Sequence, residues 1–309
     1  MTALATIVLP VFIVLAFGWL ARWRALITDD QVDGLMKFAQ GFAIPALLFR
    51  AISTLDLAEG FDAALLGSFY AGAVAGFGVG MIGARYIFAR SWEDATAIGF
   101  VGLFSNSLLL GLPITERAYG TDALTANYAI IALHAPFCYF VGVTVMETVR
   151  ARGSGLASLP LKVANAMFRN AIIIGIGLGL IVNLTGLPLP GVLTEALDLV
   201  IRAALPAALF GLGGILFRYR PQGDLRVILF ITAVSLILHP AVVWTLGTAT
   251  QLPAEGMRSA VITSAMAPGI NAYLFANIYG AARRVAASAV LIGTATSIVT
   301  ASLWITLLP

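Results

Sequence analysis

The sequence predicts an all-α membrane protein of ten transmembrane helices arranged as a 5+5 inverted repeat. Three observations carry that expectation. Of 309 residues, 60% are hydrophobic and only 11% are charged, and the mean hydropathy is +0.96. A soluble domain carries about 25% charged residues, so this composition cannot clothe a water-facing surface. The apolar residues fall into ten blocks of the length that spans a bilayer, about 20 residues each. One half of the chain also echoes the other in register.

In order, the blocks are 3–21, 34–53, 62–89, 95–118, 122–147, 170–187, 192–216, 225–247, 258–279 and 285–307. None alternates polar and apolar residues over about ten positions, which excludes a transmembrane barrel. The first block reads as a retained helix with its N-terminus outside. A signal peptide places positive charge before its apolar stretch, whereas Arg22 and Arg24 follow this one. Cys138 is the single cysteine, so an intrachain disulfide and a thiolate metal cluster are ruled out; no metal and no other cofactor is expected. The net charge of +3 comes from loop arginines and gives no basis for nucleic-acid binding.

Cytoplasmic connections collect Lys and Arg. With the N-terminus outside, only Arg50, Arg117, Arg202 and Arg258 of the 18 basic residues fall on outer connections. Both termini are therefore expected outside the cytoplasm. An odd error in the helix count would scramble this split.

Internal repeats dictate architecture. The second block contains Ala43-Ile44-Pro45-Ala46-Leu47-Leu48-Phe49 and the seventh Ala204-Leu205-Pro206-Ala207-Ala208-Leu209-Phe210, at an offset of 161 residues. Tyr119-Gly120 and Tyr279-Gly280 follow the fourth and ninth blocks at an offset of 160. Two halves of five helices must enter the membrane from opposite sides. Such inverted repeats characterise secondary transporters, whose central site opens to either side as one part rocks against another. The linker over 150–168, with Gly153, Ser154, Gly155 and Pro160, is either an ordinary cytoplasmic loop or an interfacial amphipathic turn.

The chemistry is expected where the fourth and ninth helices break. In the fourth, Ser105-Asn106-Ser107 lie near mid-span, with Gly111 and Pro113 weakening the helix just beyond. In the ninth stand Pro268, Gly269 and Asn271; proline lacks an N–H and clashes with the preceding turn. Paired interruptions in corresponding helices point to a transport site, and irregular backbone survives at membrane depth only inside protein or beside a water-filled cavity. Each break creates a helix N-terminus with free N–H groups and positive partial charge. Two such ends beside the Asn106 and Asn271 amides suit a carboxylate, so the expected partner is a small organic anion. The alternative is that the prolines are kinks and the asparagines interhelical glue.

His134 and His239 lie beside Pro136 and Pro240 inside spans. Each is either a proton carrier or a neutral imidazole bonded to a carbonyl that a proline frees. Asp198 and Arg202, four apart, are expected to pair near the outer surface. Gly72, Gly76 and Gly80 form a stripe for close helix packing, and Tyr139 supplies either a hydroxyl or aromatic filler. An intramembrane enzyme is disfavoured: no HExxH is present, and neither histidine has a neighbouring carboxylate.

Leu9-Pro10-Val11-Phe12, Gly18-Trp19-Leu20, Ile44-Pro45-Ala46-Leu47-Leu48-Phe49, Asn106-Ser107-Leu108-Leu109-Leu110-Gly111-Leu112-Pro113 and the stretch from Ala267-Pro268 to Tyr279-Gly280 resemble the auxin efflux carrier family and its bacterial relatives. The resemblance runs over essentially the whole chain. It implies the fold of the bile acid–sodium symporters, with scaffold helices over 1–58 and 169–220 and a moving transport core over 59–149 and 221–309. It also implies an elevator motion, a homodimer through the scaffold, and a multi-pass protein of the bacterial inner membrane. By position, Asn106 matches the asparagine of the first crossover, Pro268 the proline of the second, and Tyr139 a tyrosine near the substrate. The chain departs from the plant members in three ways. Ser105 stands where they usually have proline, their long cytoplasmic loop with its phosphorylation-based control is missing, and the third helix lacks a lysine. These residues fit an exporter or facilitator of auxin-like or dicarboxylic acids, or alternatively a sodium- or proton-coupled organic anion symporter.

Overall fold

The structure is a computed structural model that describes residues 2–151 and 170–309. The linker expected over 150–168 falls, apart from its first two residues, outside the described residues. Those residues form helices α1 (Thr2–Trp23), α2 (Asp29–Phe38), α3 (Ile44–Ser53), α4 (Leu57–Gly60), α5 (Ala63–Tyr86), α6 (Trp92–Leu103), α7 (Leu112–Tyr119) and α8 (Thr125–Ala151). After the linker come α9 (Ala171–Thr185), α10 (Gly191–Ile201), α11 (Ala204–Arg218), α12 (Leu225–Ala233), α13 (His239–Ala249), α14 (Ala254–Ser264), α15 (Ile270–Tyr279) and α16 (Arg283–Leu307). No β-strand occurs among the described residues. Seven helical stretches there are long and apolar enough to cross a membrane: Thr6–Trp23, Asp29–Ser53, Ala63–Tyr86, Thr125–Arg150, Gly191–Arg218, Leu225–Ala249 and Arg283–Leu307. The shorter α9 is also apolar. The blocks expected over 95–118 and 258–279 are each two helices around a break.

Local chemistry explains where the helices begin, bend and end. The second starts at Asp29 rather than at 34 because Thr28 and Gln31 form a reciprocal capping box. The Thr28 hydroxyl accepts from the Gln31 N–H, the Gln31 amide accepts from the Thr28 N–H, and Asp29 and Asp30 favour the positive end. Three wide turns with π geometry, Ala39–Ala43, Ser107–Gly111 and Val234–Leu238, each end two residues before a proline: Pro45, Pro113 and Pro240. A wide turn accommodates the missing N–H and the ring clash without ending the helix. The Tyr-Gly echoes are terminators. Gly120 (φ 87°) and Gly280 (φ 69°) close α7 and α15 in a conformation that other residues resist.

The chain divides into two compact units, one of residues 1–8, 61–163 and 219–309, the other of 9–60 and 164–218. In the second unit, glycines let backbones touch. A Cβ on Gly18 would strike the Phe210 carbonyl and one on Gly213 the Leu15 carbonyl, where α1 meets α11. Gly175 and Gly179 of α9 lie against the Pro45 and Phe49 carbonyls of α3, 2.5 and 2.8 Å from where a Cβ would stand. Asn183 donates to the Ile52 and Leu55 carbonyls at 2.9 and 2.8 Å, tying off the end of α3. The pairing expected between Asp198 and Arg202 is corrected. The Asp198 carboxylate lies 3.9 Å from Arg50 on α3, because helical spacing aligns side chains without fixing what faces them across the interface. This exposed pair contributes little to stability.

In the first unit, the expected glycine stripe of α5 packs against α6, α12 and α13. Gly76 meets Gly102 of α6 backbone to backbone, Gly80 meets Ile231 and Gly99, and Gly72 leaves room for His239 and Val243 of α13. Asn127 of α8 joins α7 and α14 by donating to the Thr115 and Thr263 hydroxyls at 3.3 and 2.8 Å.

Candidate functional site

Two helix breaks meet inside the first unit. After α6 ends at Leu103 the backbone opens over 104–106, and after α14 it opens over 265–269. Ser105 and Pro268 pair there as an antiparallel bridge. The Asn106 N–H donates to the Ala267 carbonyl and the Gly269 N–H to the Phe104 carbonyl, both at 2.8 Å. Each break thus satisfies backbone groups that the other leaves unpaired, as a buried crossing requires. Residues 95–107 and 261–270 are all buried. Pro268 suits this place because it has no N–H to strand, and a Cβ on Gly293 of α16 would stand 2.8 Å from its ring.

A helical segment begins immediately after each bridging residue's segment. Asn106 caps the first, its Oδ1 accepting from the Leu109 N–H at 3.3 Å. No protein acceptor meets its Nδ2 among the described residues, and the residue is 6% exposed. The Ser105 and Ser107 hydroxyls lie 2.9 Å apart. Gly269 heads the second segment, α15, without any side-chain cap. Two N-termini, one uncapped, therefore begin at a single buried crossing, where their N–H groups and dipoles favour negative charge.

Asn271, in the first turn of α15, accepts from the Tyr139 hydroxyl at 3.2 Å. That ring packs near Phe100 and Phe104, at centroid distances of 5.6 and 6.0 Å. Phe100 stacks on Phe275 at 4.0 Å and 8°, on the face of α8 that Gly142 leaves bare. The crossing thus combines amide and hydroxyl groups with an aromatic wall. Tyr139→Phe removes the hydroxyl while keeping the ring. It is expected to lower the apparent substrate affinity about threefold to tenfold, in line with about 1 kcal/mol for a neutral hydrogen bond, and to leave thermal stability in detergent within a few degrees; concentration-dependent uptake and a melting curve check both.

The structure brings Ser105, Asn106, Ser107, Pro268, Gly269, Asn271 and Tyr139 together. It separates Gly111 and Pro113 from them: the fourth helix opens at 104–106, not beyond the polar triplet, and Gly111 and Pro113 stay helical because the wide turn before Pro113 absorbs its cost. Pro268 does lie in its break. His134 donates from Nε2 to the Ser105 carbonyl at 3.1 Å, whereas neither ring nitrogen of His239 finds hydrogen-bond geometry. Sequence reasoning missed the contact of His134 with the crossing, the Phe100–Phe275 stack and the Asn127 junction. For the junction a signal was present, a lone asparagine in an apolar block. For the stack there was none, because its rings lie 175 residues apart.

The family model described as membrane transport protein matches residues 3–305. The chain is 22% identical to the uncharacterized transporter YfdV of Escherichia coli over 96% of its length and 95% of that protein. It is 23% identical to a putative malonate transporter of Rhizobium meliloti, covering 97% of this chain and 94% of the relative. It is 21% identical to auxin efflux carrier component 8 of Arabidopsis thaliana, covering 92% and 91%. A buried crossing of broken helices among apolar spans thus coincides with end-to-end similarity to transporters, and the chain belongs to the membrane transport protein family, that of the auxin efflux carriers, as a multi-pass membrane transporter and not an enzyme.

Proposed function

We propose that this protein is a secondary transporter, an exporter or facilitator of small organic anions, that holds the substrate carboxylate at the crossing of Ser105 and Pro268. The observation that carries this reading is the pair of helix N-termini at one buried bridge, with Asn106 Nδ2 free to donate. Ser107, Asn271 and Tyr139 line the same place and orient the substrate. The names of two relatives, a putative malonate transporter and an auxin efflux carrier component, agree with an organic acid.

The architecture we infer is ten crossings in two inverted halves: the seven long spans, the short α9 and the two broken helices. The interruptions support it. The wide turn before Pro45 and the non-helical residues between α10 and α11 fall at corresponding places in the halves, as do the breaks before Asn106 and α15. We read the second unit as the scaffold and the first as the transport core, which carries the crossing across the bilayer in an elevator motion. The scaffold holds the surface for a second copy: no residue of α10 is buried, and Val192 is 83% exposed. Both termini lie outside the cytoplasm of the bacterial inner membrane, in accord with the distribution of basic residues.

Counterflow in liposomes tests the reading. With an excess of unlabelled malonate inside, the reconstituted protein should accumulate labelled malonate transiently, and competing organic acids should abolish the signal. Counterflow of neutral or cationic solutes with none of any acid would sink the proposal.

A further inference from the structure

The two histidines of this chain lie in the transport unit against one shared ring. Phe69 of α5 is 5.6 Å from His134 and 5.4 Å from His239, centroid to centroid. Both imidazoles are buried, His134 at 4% exposure and His239 at 0%. Among the described residues no Asp, Glu, Lys or Arg is buried with them. The other titratable groups facing the pair are Tyr70 of α5, stacked 6.4 Å from His134 with its hydroxyl donating to the Ile130 carbonyl, and Cys138 of α8, whose sulfur lies 3.8 Å from His134 Nδ1.

The two differ in their bonding. The Ser105 carbonyl can only accept, so His134 Nε2 carries a hydrogen, and in the neutral ring Nδ1 keeps its lone pair. His134 therefore touches the crossing itself. Among the described residues neither Nδ1 nor Nε2 of His239 reaches hydrogen-bond geometry, with the Phe69 backbone nearby, and the Ser235 hydroxyl, four residues earlier, and the Thr232 hydroxyl, three before that, have no partner. This spacing places the three on one side of the eighth span, and Gly72 of α5 makes room for the His239 ring. An unmet polar group in an apolar interior is costly, because it has given up its hydrogen bonds to water. A row of them ending on an ionisable ring suits a group that takes up a partner during the working cycle.

We propose that His239 and His134 form a proton-binding site and that the carrier moves one proton together with each anion; this rests on the anion reading above. The proton enters along the Thr232 and Ser235 hydroxyls to His239. Two imidazolium ions on one phenyl ring would repel, so the pair titrates as a unit and holds one proton. When that charge resides on His134, next to the Ser105 carbonyl, it raises the affinity of the crossing for an anion. By linkage the anion raises the affinity for the proton equally. Both then favour the same loaded state, so the coupling is symport.

The test uses the full-length protein in liposomes clamped at zero membrane potential, with labelled malonate as the probe and protein-free liposomes as the baseline. One proton per anion makes a pH gradient of one unit, acid outside, concentrate the label inside by about tenfold, the ratio equivalent to about 1.4 kcal/mol. His239→Gln is expected to reduce that ratio to about one, whatever its rate of exchange, because the ratio is an equilibrium quantity. A wild-type ratio of one alongside working counterflow would overturn the proposal, and so would a His239→Gln protein that still concentrates malonate. If the wild type shows no counterflow at all, the malonate reading falls, and the proton site is decided separately. With only two histidines, nitrogen-15 labelling of their rings gives two pairs of signals, one pair per ring, which His239→Gln assigns. The proposal requires the pair to titrate between about pH 4 and pH 8; two rings that stay neutral throughout would end it.

Discussion

Asn106→Ala is expected to lower malonate counterflow by about 10- to 100-fold while leaving a folded protein. Its amide has two jobs that the two ends of the group divide. Oδ1 caps the segment that begins at Ser107, and losing a cap costs about 1 kcal/mol, too little to unfold a span tied on both sides by the Ser105–Pro268 bridge. Among the described residues Nδ2 has no acceptor, and a hydrogen bond from it to a carboxylate is worth about 1.5–3 kcal/mol, which converts to the stated loss. Asn106→Asp separates the two jobs. Aspartate caps as well as asparagine, so stability should match the wild type, yet a carboxylate at the crossing repels an anion and transport should fall at least as far as with alanine. Undiminished counterflow in Asn106→Asp would show that the crossing does not hold negative charge.

Gly76→Ala should abolish transport through packing rather than chemistry. A Cβ there would stand 2.5 Å from the Gly102 carbonyl oxygen, and one on Gly102 would stand 2.7 Å from that of Gly76. Both obstacles are backbone, so no rotamer change relieves them, and α5 and α6 must part. Overpacking of this kind costs about 1–3 kcal/mol. The shift is transmitted directly, since α6 ends only two residues before Ser105. Melting in detergent should drop by several degrees and counterflow should disappear. Gly78→Ala, on the same helix with nothing within 4 Å of its Cβ, is the control. It should be neutral or slightly stabilising, because alanine is a better helix former by about 1 kcal/mol. Equal effects at the two positions would refute the close approach as the cause.

Several features of the site were legible in the sequence because they are local. Three polar residues in an apolar span, a Pro-Gly pair in another and the shared offset were enough to single out 105–107 and 268–271, and the structure brings these together. The position of the first break was not legible. Gly111 and Pro113 read as breakers, but a wide turn carries the helix through them, and what opens the backbone at 104–106 is its pairing with a segment more than 160 residues away. The partner of Asp198 was misread for the same reason.

Composition, apolar block lengths and the scarcity of buried charge settled that this chain is a helical membrane protein, because a bilayer accepts few kinds of backbone and these requirements apply residue by residue. Glycine positions marked where helices touch, since only their backbones approach so closely. Which glycine met which carbonyl depended on the tertiary structure, as did the carbonyl bonded to His134 and the surroundings of the His239 ring. These are properties of facing surfaces, decided by how distant segments pack, and no spacing along one chain encodes them.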